Sequence, residues 1–254
     1  MQATIGGRDL SVATRDGVEQ FLRRYQVAFP ESTQDRAQAF RSAFERLQAE
    51  YEQAKEAAAL RVQTEAPGFN VFHVLGVHRA ELRHSAFLAD LLDPHSSHGQ
   101  GELFLHTFLA HCRHRYGEFP LPDLAPMVPQ WSCYTEWQIR GGRIDRRIDI
   151  VLCNPDPVGG GLYFIENKVD ALEQDGQLAA YAEWLDAHRR EYPRQSLIFL
   201  TPDGRAADSA EGHPYFRLSY REDIAGWLDG ILAQIQAPRV RETVRQYIET
   251  VKRL

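Results

Sequence analysis

The sequence predicts an α/β fold, in which a β-sheet core is flanked by helices. Two strand-like runs, 146–152 and 162–168, are separated by a segment dense in Pro and Gly, a pattern typical of adjacent antiparallel strands. A helical pattern follows over about 171–191, and an apolar run at 196–201 then predicts a fourth strand. Strands that are followed by a helix and a further strand indicate the α/β class.

Two helices are expected before this core. Residues 11–29 are predicted to form a helix that ends at Pro30, and residues 33–64 a longer one. The longer helix carries a narrow apolar seam at alternating spacings of four and three. The seam fits two alternatives: packing against the first helix, which is the default, or a homodimer or other protein partner. Its residues are Phe40, Phe44, Leu47, Tyr51, Ala54 and Ala58.

A break at Ala66-Pro-Gly68 divides the chain into an N-terminal helical extension, residues 1–67, and a main domain, residues 68–254. The main domain is expected to open with helices, to continue with the strands and to close with added C-terminal helices. The expected elements are helices over 83–92 and 101–116, strands near 132–139, 146–153 and 162–168, a helix over 171–191, strands near 196–201 and 215–219, and helices near 221–236 and 239–252.

Composition narrows the class of protein. The chain has 254 residues, of which 43% are hydrophobic, so it can bury a sizeable core. No stretch approaches the roughly 20 apolar residues of a membrane span, and no apolar signal segment opens the chain, so membrane association is not expected. Cys112, Cys133 and Cys153 are far apart, which argues against a disulfide framework and indicates the cytoplasm. The net charge of −6 argues against a protein that coats nucleic acids, but it leaves room for a local basic surface.

The most specific chemistry is expected where two of the strands lie side by side. Side chains alternate across a strand, so Glu166 and Lys168 share a face, and the preceding strand brings Asp149 beside them. Two neighbouring carboxylates repel each other unless a cation neutralises them, and their oxygen atoms suit Mg²⁺ or Mn²⁺. A nearby ammonium group orients or activates a water and stabilises charge on a phosphate. This cluster is typical of metal-assisted phosphodiester hydrolysis; a surface salt bridge on ordinary strands is the alternative.

Together with its string Ile165-Glu-Asn-Lys168, the cluster resembles the PD-(D/E)xK nuclease superfamily over most of residues 70–200. More specifically, the sequence resembles a bacterial group within this superfamily that carries the same string. It implies a restriction-endonuclease-like fold, with a mixed β-sheet flanked by helices. It also implies that Asp149 and Glu166 bind metal and that both are catalytic together with Lys168.

A further acidic ligand is implied by the same resemblance, and Glu136 fits its place. The family pattern has a proline before the aspartate, whereas Ile148 stands there in this chain. Asp145 is an alternative ligand, but Asp149 is better placed, because it lies within the apolar run.

Several supporting residues match the family pattern as well. Gln177 and Tyr181 lie four positions apart and share one helical face. Gln177 is expected to be catalytic, by orienting the attacking water or binding a phosphate. Tyr181 is expected either to contact substrate or to lie in the core.

Basic residues are candidates for substrate binding. Arg83 and His84 either contact phosphates near the scissile bond or brace their helix against the sheet. Arg143 and Arg147 lie near Asp149 in the sequence, where they are candidate phosphate contacts or part of a solvated surface. No histidine has an acidic or cysteine partner at a zinc-ligand spacing, so a zinc site is not expected.

The resemblance as a whole implies a Mg²⁺- or Mn²⁺-dependent deoxyribonuclease in bacterial defence against foreign DNA, with DNA as its partner. The alternative is a catalytically silent or regulated module on a nuclease fold that binds nucleic acid or protein. The intact set of Asp149, Glu166 and Lys168 favours the enzyme.

Overall fold

The computed structural model describes residues 33–121, 131–139, 146–156 and 160–254, together with residues 17, 19, 20, 23 and 24. The chain divides into two compact units, Met1–Phe69 and Asn70–Leu254. Among the described residues, no helix has both the length and the apolar character that crossing a membrane requires.

The first unit contains helix α1, which spans Thr33–Glu65. Residues Phe40, Phe44 and Tyr51 of the predicted seam are 45%, 52% and 60% exposed. The prediction of a helix over 11–29 falls mostly outside the described residues.

The second unit is built on a five-stranded sheet in the order β1-β2-β3-β4-β5. Strands β1, β2 and β3 pair antiparallel, whereas β3, β4 and β5 pair parallel. This mixed sheet confirms the predicted fold class. The strands are Ser132–Ile139 (β1), Arg146–Asn154 (β2), Gly161–Asn167 (β3), Gln195–Thr201 (β4) and Phe216–Ser219 (β5).

Helices cover both faces of this sheet. The side chains of β3 alternate, so that Tyr163 and Ile165 join one hydrophobic cluster and Leu162 and Phe164 join the other. Helices α3, α4, α6 and α7 contribute to the first cluster, and α5 contributes to the second. The helices are Val71–Val74 (α2), Glu81–Leu92 (α3), Leu103–Arg115 (α4), Gln177–Ala187 (α5), Ala225–Ile231 (α6) and Pro238–Val251 (α7).

Two helices differ from their predicted bounds for identifiable reasons. Helix α5 begins at Gln177 rather than near 171, because Gly176 has a φ of 58° and breaks the helical path. The helix predicted over 221–236 consists of a π-helical turn at Tyr220–Ile224, then α6, then a 3₁₀ turn at Leu232–Gln234. The Ser219 hydroxyl accepts hydrogen bonds from two N–H groups of the π-helical turn and so caps its start.

Candidate active site

Three acidic residues lie in one row across the antiparallel part of the sheet. The β2–β3 register pairs Ile150 with Ile165, so the next step along the strands places Asp149 opposite Glu166. The β1–β2 register continues on both sides of Glu136 and places that residue opposite Asp149. Directly opposed residues of regular strands point to the same face of a sheet, so β2 and β3 bring Asp149 and Glu166 together.

Glu166 lies at the buried end of this row and is fully buried. Its Oε1 atom accepts hydrogen bonds from the Lys168 ammonium and from the Gln177 amide, the latter at 2.7 Å. Its Oε2 atom is buried and has no hydrogen-bond partner within the protein. Burial, together with the nearby carboxylate of Asp149, raises the pKa of Glu166 to about 8. One oxygen of this carboxylate is therefore free for a ligand.

Asp149 is held from the neighbouring strand. Its Oδ2 atom accepts a hydrogen bond from the Asn167 backbone N–H at 2.8 Å. Burial raises the pKa of Asp149 to about 6, although this hydrogen bond and the charge of Lys168 act in the opposite direction. Asp149 and Glu166 therefore titrate as a pair: Lys168 neutralises one negative charge, and the other favours a proton or a cation.

Lys168 follows the last residue of β3 and is itself buried. It forms an ion pair with Glu166, and its Nζ lies 3.9 Å from Glu81 Oε1. Burial lowers the pKa of Lys168, but the carboxylates of Glu166, Asp149 and Glu81 outweigh that effect and leave the pKa above its ordinary value. The side chain is thus an ammonium donor rather than a neutral base.

Glu136 is the most exposed of the three carboxylates, although its charge still helps to raise the pKa of Asp149. Its φ of 55° is in the left-handed region, and its carboxylate forms a 3.0 Å ion pair with the exposed Arg147. In the described part of the chain, no three His, Cys, Asp or Glu side chains are arranged to hold a metal ion. Asp149 and Glu166 thus form the close pair of carboxylates, and the predicted role of Glu136 as a further ligand stays a prediction.

This pair fits a hard divalent cation. Mg²⁺ is commonly bound by one or two carboxylates, with water and substrate phosphate completing its six ligands. The unpartnered Glu166 Oε2 supplies one such ligand and the carboxylate of Asp149 the other. A buried oxygen atom without a partner is costly unless a cation or another donor satisfies it.

Glu81, the first residue of α3, is a member of the site that the sequence analysis missed. Its Oε2 atom accepts a hydrogen bond from the Val169 N–H at 2.8 Å, while Oε1 lies near Lys168. An acidic residue in the first turn of a helix is ordinarily explained by the helix dipole. One feature of the sequence pointed to Glu81: it lies just before Arg83 and His84, which belong to the matched family pattern.

Asn167, between Glu166 and Lys168, is a second residue that was missed. Its Nδ2 donates to the Glu81 carbonyl at 3.1 Å and to Ser85 Oγ at 2.9 Å, and its Oδ1 accepts from the Tyr220 hydroxyl at 3.0 Å. It faces the opposite side of the sheet from Glu166, as alternation predicts. Asn167 therefore ties β3 to α3, and in doing so places Glu81 beside Lys168.

Gln177 contacts the carboxylate of Glu166, whereas Tyr181 lies in the core behind it. The Gln177 Oε1 atom accepts from the Gln174 N–H at 3.2 Å, so its amide NH₂ faces Glu166. Tyr181 is fully buried, and its hydroxyl donates to the Arg147 carbonyl at 2.6 Å and accepts from Gln177 at 3.1 Å. The geometry supports the alternative in which Tyr181 is a core residue.

His84 is held inside the protein. Its Nδ1 atom lies 2.9 Å from the Tyr247 hydroxyl and its Nε2 atom 3.0 Å from the His78 carbonyl. Burial lowers the pKa of His84. With both ring nitrogens engaged, His84 fits the bracing alternative rather than contact with a phosphate.

The predicted basic contacts are on the surface where they are described. Arg83 is exposed on α3 and borders a small cleft beside Phe87 and Asp90. Arg143 and Asp145 lie outside the described residues, so their predicted roles stay predictions.

Comparison with known proteins adds one finding to this geometry. A family model described as the PD-(D/E)XK nuclease superfamily matches residues 69–249, which is most of the chain. Neither the curated proteins nor the solved structures gave a match.

Proposed function

The chain belongs to the PD-(D/E)XK nuclease superfamily, and from this premise we propose that it is a deoxyribonuclease that requires Mg²⁺ or Mn²⁺. One observation supports the proposal above the others. Glu166 is buried opposite Asp149 with Lys168 on one oxygen and no partner on the other. A site that only stabilised the fold would gain nothing from a buried, half-satisfied carboxylate.

In this proposal, Asp149 and Glu166 Oε2 hold the cation, which when bound supplies Lewis-acid polarisation of the phosphate and of an attacking water. The Lys168 ammonium donates hydrogen bonds to the water or to a phosphate oxygen, where negative charge develops during attack. Gln177 and Lys168 together fix Glu166 Oε1, so the carboxylate keeps its orientation while the substrate reacts.

The substrate and its setting belong to the same proposal. Arg147 and Arg83 are exposed cations that we propose to contact phosphates of the substrate, and Arg143 joins them from the sequence pattern. DNA as the substrate, a 5′-phosphate product, action in the cytoplasm and a role in defence against foreign DNA rest on the family resemblance.

A plasmid-nicking assay tests the activity. We expect supercoiled DNA to be cleaved with Mg²⁺ or Mn²⁺ and to stay intact in EDTA, and we expect Lys168→Ala to lower the rate by about a hundredfold or more while the protein stays folded. Lys168→Ala purified in parallel is also the control for contaminating nucleases. A folded Lys168→Ala protein with full activity would contradict the proposed role of the lysine.

Three further measurements separate the alternatives. Asp149→Asn should abolish Mn²⁺ binding in a titration calorimeter, whereas an equal loss from Asp145→Asn alone would move the ligand assignment. Wild-type protein that binds DNA without cutting it under any of these conditions would favour the catalytically silent module. An RNA of matched sequence, assayed beside the DNA, decides between the two nucleic acids.

A further inference from the structure

The N-terminus of α5 is capped by a residue from a distant loop. The residue that precedes the helix, Gly176, offers no side chain. Instead, the Leu178 N–H donates to Ser209 Oγ at 3.3 Å, and the Ala179 N–H donates to the Ser209 carbonyl at 3.0 Å. Because the first N–H groups of a helix have no partner within it, Ser209 fixes the position of this helix end.

Glu173 holds Ser209 in place. Its Oε2 atom accepts hydrogen bonds from the Ser209 N–H at 3.0 Å and from the Ser209 hydroxyl at 2.6 Å. Its Oε1 atom accepts from the Asp208 N–H at 3.3 Å and pairs with the Arg205 guanidinium. Burial raises the pKa of Glu173, but these hydrogen bonds outweigh it and leave the pKa below its ordinary value. An ionised carboxylate thus joins the loop after Lys168 to the loop after β4.

This connection between the two loops reaches the active site through Gln174, the residue that follows Glu173. The Gln174 N–H donates to Gln177 Oε1, which requires the amide NH₂ of Gln177 to point at Glu166 Oε1. The reversed amide would set its oxygen against a carboxylate and would lose the bond from Gln174. The position of Gln174 therefore decides whether Glu166 receives a hydrogen bond or a repulsive contact.

We propose that Glu173 is a positioning residue of the active site. With Arg205 and Ser209, it clamps the loop that precedes α5, and through Gln174 it orients the Gln177 amide on Glu166. Glu166 Oε1 is then occupied by Gln177 and Lys168, and Oε2 is the oxygen that remains for the cation. The inference rests on the proposed function, but its structural part does not require catalysis.

The test compares Glu173→Gln in the full-length protein with Glu183→Gln, which makes the same change at an exposed position of α5. We expect Glu173→Gln to lower kcat by about tenfold and to leave the KM for DNA within about twofold, because Glu173 acts on the catalytic carboxylate rather than on substrate binding. Mn²⁺ affinity, measured by electron paramagnetic resonance, should fall several-fold in the same variant. The control should match the wild type in all three quantities.

A second readout needs neither metal nor activity. In the metal-free protein, the side-chain NH₂ protons of Gln177 should exchange slowly with solvent, and Glu173→Gln should speed this exchange while Glu183→Gln does not. If Glu173→Gln fails to fold, Ser209→Ala replaces it, with smaller changes expected in the same directions.

The outcomes separate the two proposals. Unchanged kcat in Glu173→Gln, or a raised KM with kcat preserved, would show that Glu173 does not position the site. A wild-type protein without nuclease activity would contradict the proposed function, and the exchange of the Gln177 protons would still decide the positioning role. Unchanged exchange in Glu173→Gln would overturn the inference.

Discussion

Glu166 is a carboxylate in the interior of the protein, and its surroundings show how that charge is tolerated. Moving an ionised group out of water costs several kcal/mol unless close partners compensate. Lys168 and Gln177 compensate at one oxygen only, and the carboxylate of Asp149 opposes a second negative charge. A divalent cation bound between Asp149 and Glu166 would neutralise the negative charge that Lys168 leaves uncompensated.

Substitution of Glu81 tests whether this single side chain contributes to the proposed activity. We expect Glu81→Gln to lower the cleavage rate by about tenfold or more, because the neutral amide no longer helps to hold the Lys168 ammonium and binds the Val169 N–H less strongly. Rates at saturating Mg²⁺ measure the effect, and circular dichroism checks the fold. Glu183→Gln serves as the control, and equal rates for the two variants would show that Glu81 has no part in the site.

The proximity of Asp149, Glu166 and Lys168 could be predicted from the sequence, whereas the contacts of Glu81 and Asn167 could not. Alternation along β3 is a local rule, so it correctly placed Glu166 and Lys168 on one face and, with a turn, brought Asp149 beside them. Glu81 reaches Lys168 only through the packing of α3, and Asn167 lies on the opposite face, where alternation assigns it to the core. No local pattern reports such a long-range contact.

At the scale of elements, α3 is locked to the rest of the domain by a buried histidine. We expect His84→Ala to lower the free energy of unfolding by about 2–4 kcal/mol, because it leaves a cavity and removes one hydrogen-bond partner of the Tyr247 hydroxyl and one of the His78 carbonyl. Urea denaturation measures the change. The KM for DNA in the folded variant should stay near the wild-type value; a raised KM with intact stability would instead support phosphate contact.

The start of α5 could not be predicted from local sequence patterns alone. Helical periodicity predicted a start near 171, but the chain before Gln177 forms a loop that is bonded to Ser209 and the residues beside it. A cap that comes from a loop more than one element away leaves no signal at the helix start itself. The three antiparallel strands, whose patterns are local, agree closely with their predicted bounds.

For the whole molecule, the raised pKa values predict how stability depends on pH when no divalent cation is present. Protonated Asp149 stabilises the folded state below its unfolded pKa of about 4. This contribution is lost as pH rises through about 6, and Glu166 continues the loss to about pH 8. We expect the free energy of unfolding in EDTA to fall by several kcal/mol between about pH 5 and about pH 8.5.

Urea denaturation at the two pH values checks this expectation. Glu166→Gln removes one of the two coupled groups, so its stability should fall less over the same interval. Wild-type stability that is flat or rises with pH would show that the pKa values of Asp149 and Glu166 are not raised in the folded protein. Adding Mn²⁺ should restore more stability at the higher pH, since the cation competes with protons for the carboxylates.

The ion pair between Lys168 and Glu166 has a consequence for how a divalent cation would bind at the proposed site. Because the ammonium already screens the buried carboxylate, the strands and loops can adopt the working arrangement in a magnesium-poor solution. Mg²⁺ gives up its water shell reluctantly. We therefore expect a divalent cation to bind at the proposed site without a large rearrangement of the chain, and we expect Mn²⁺, which exchanges its bound water faster than Mg²⁺, to bind faster.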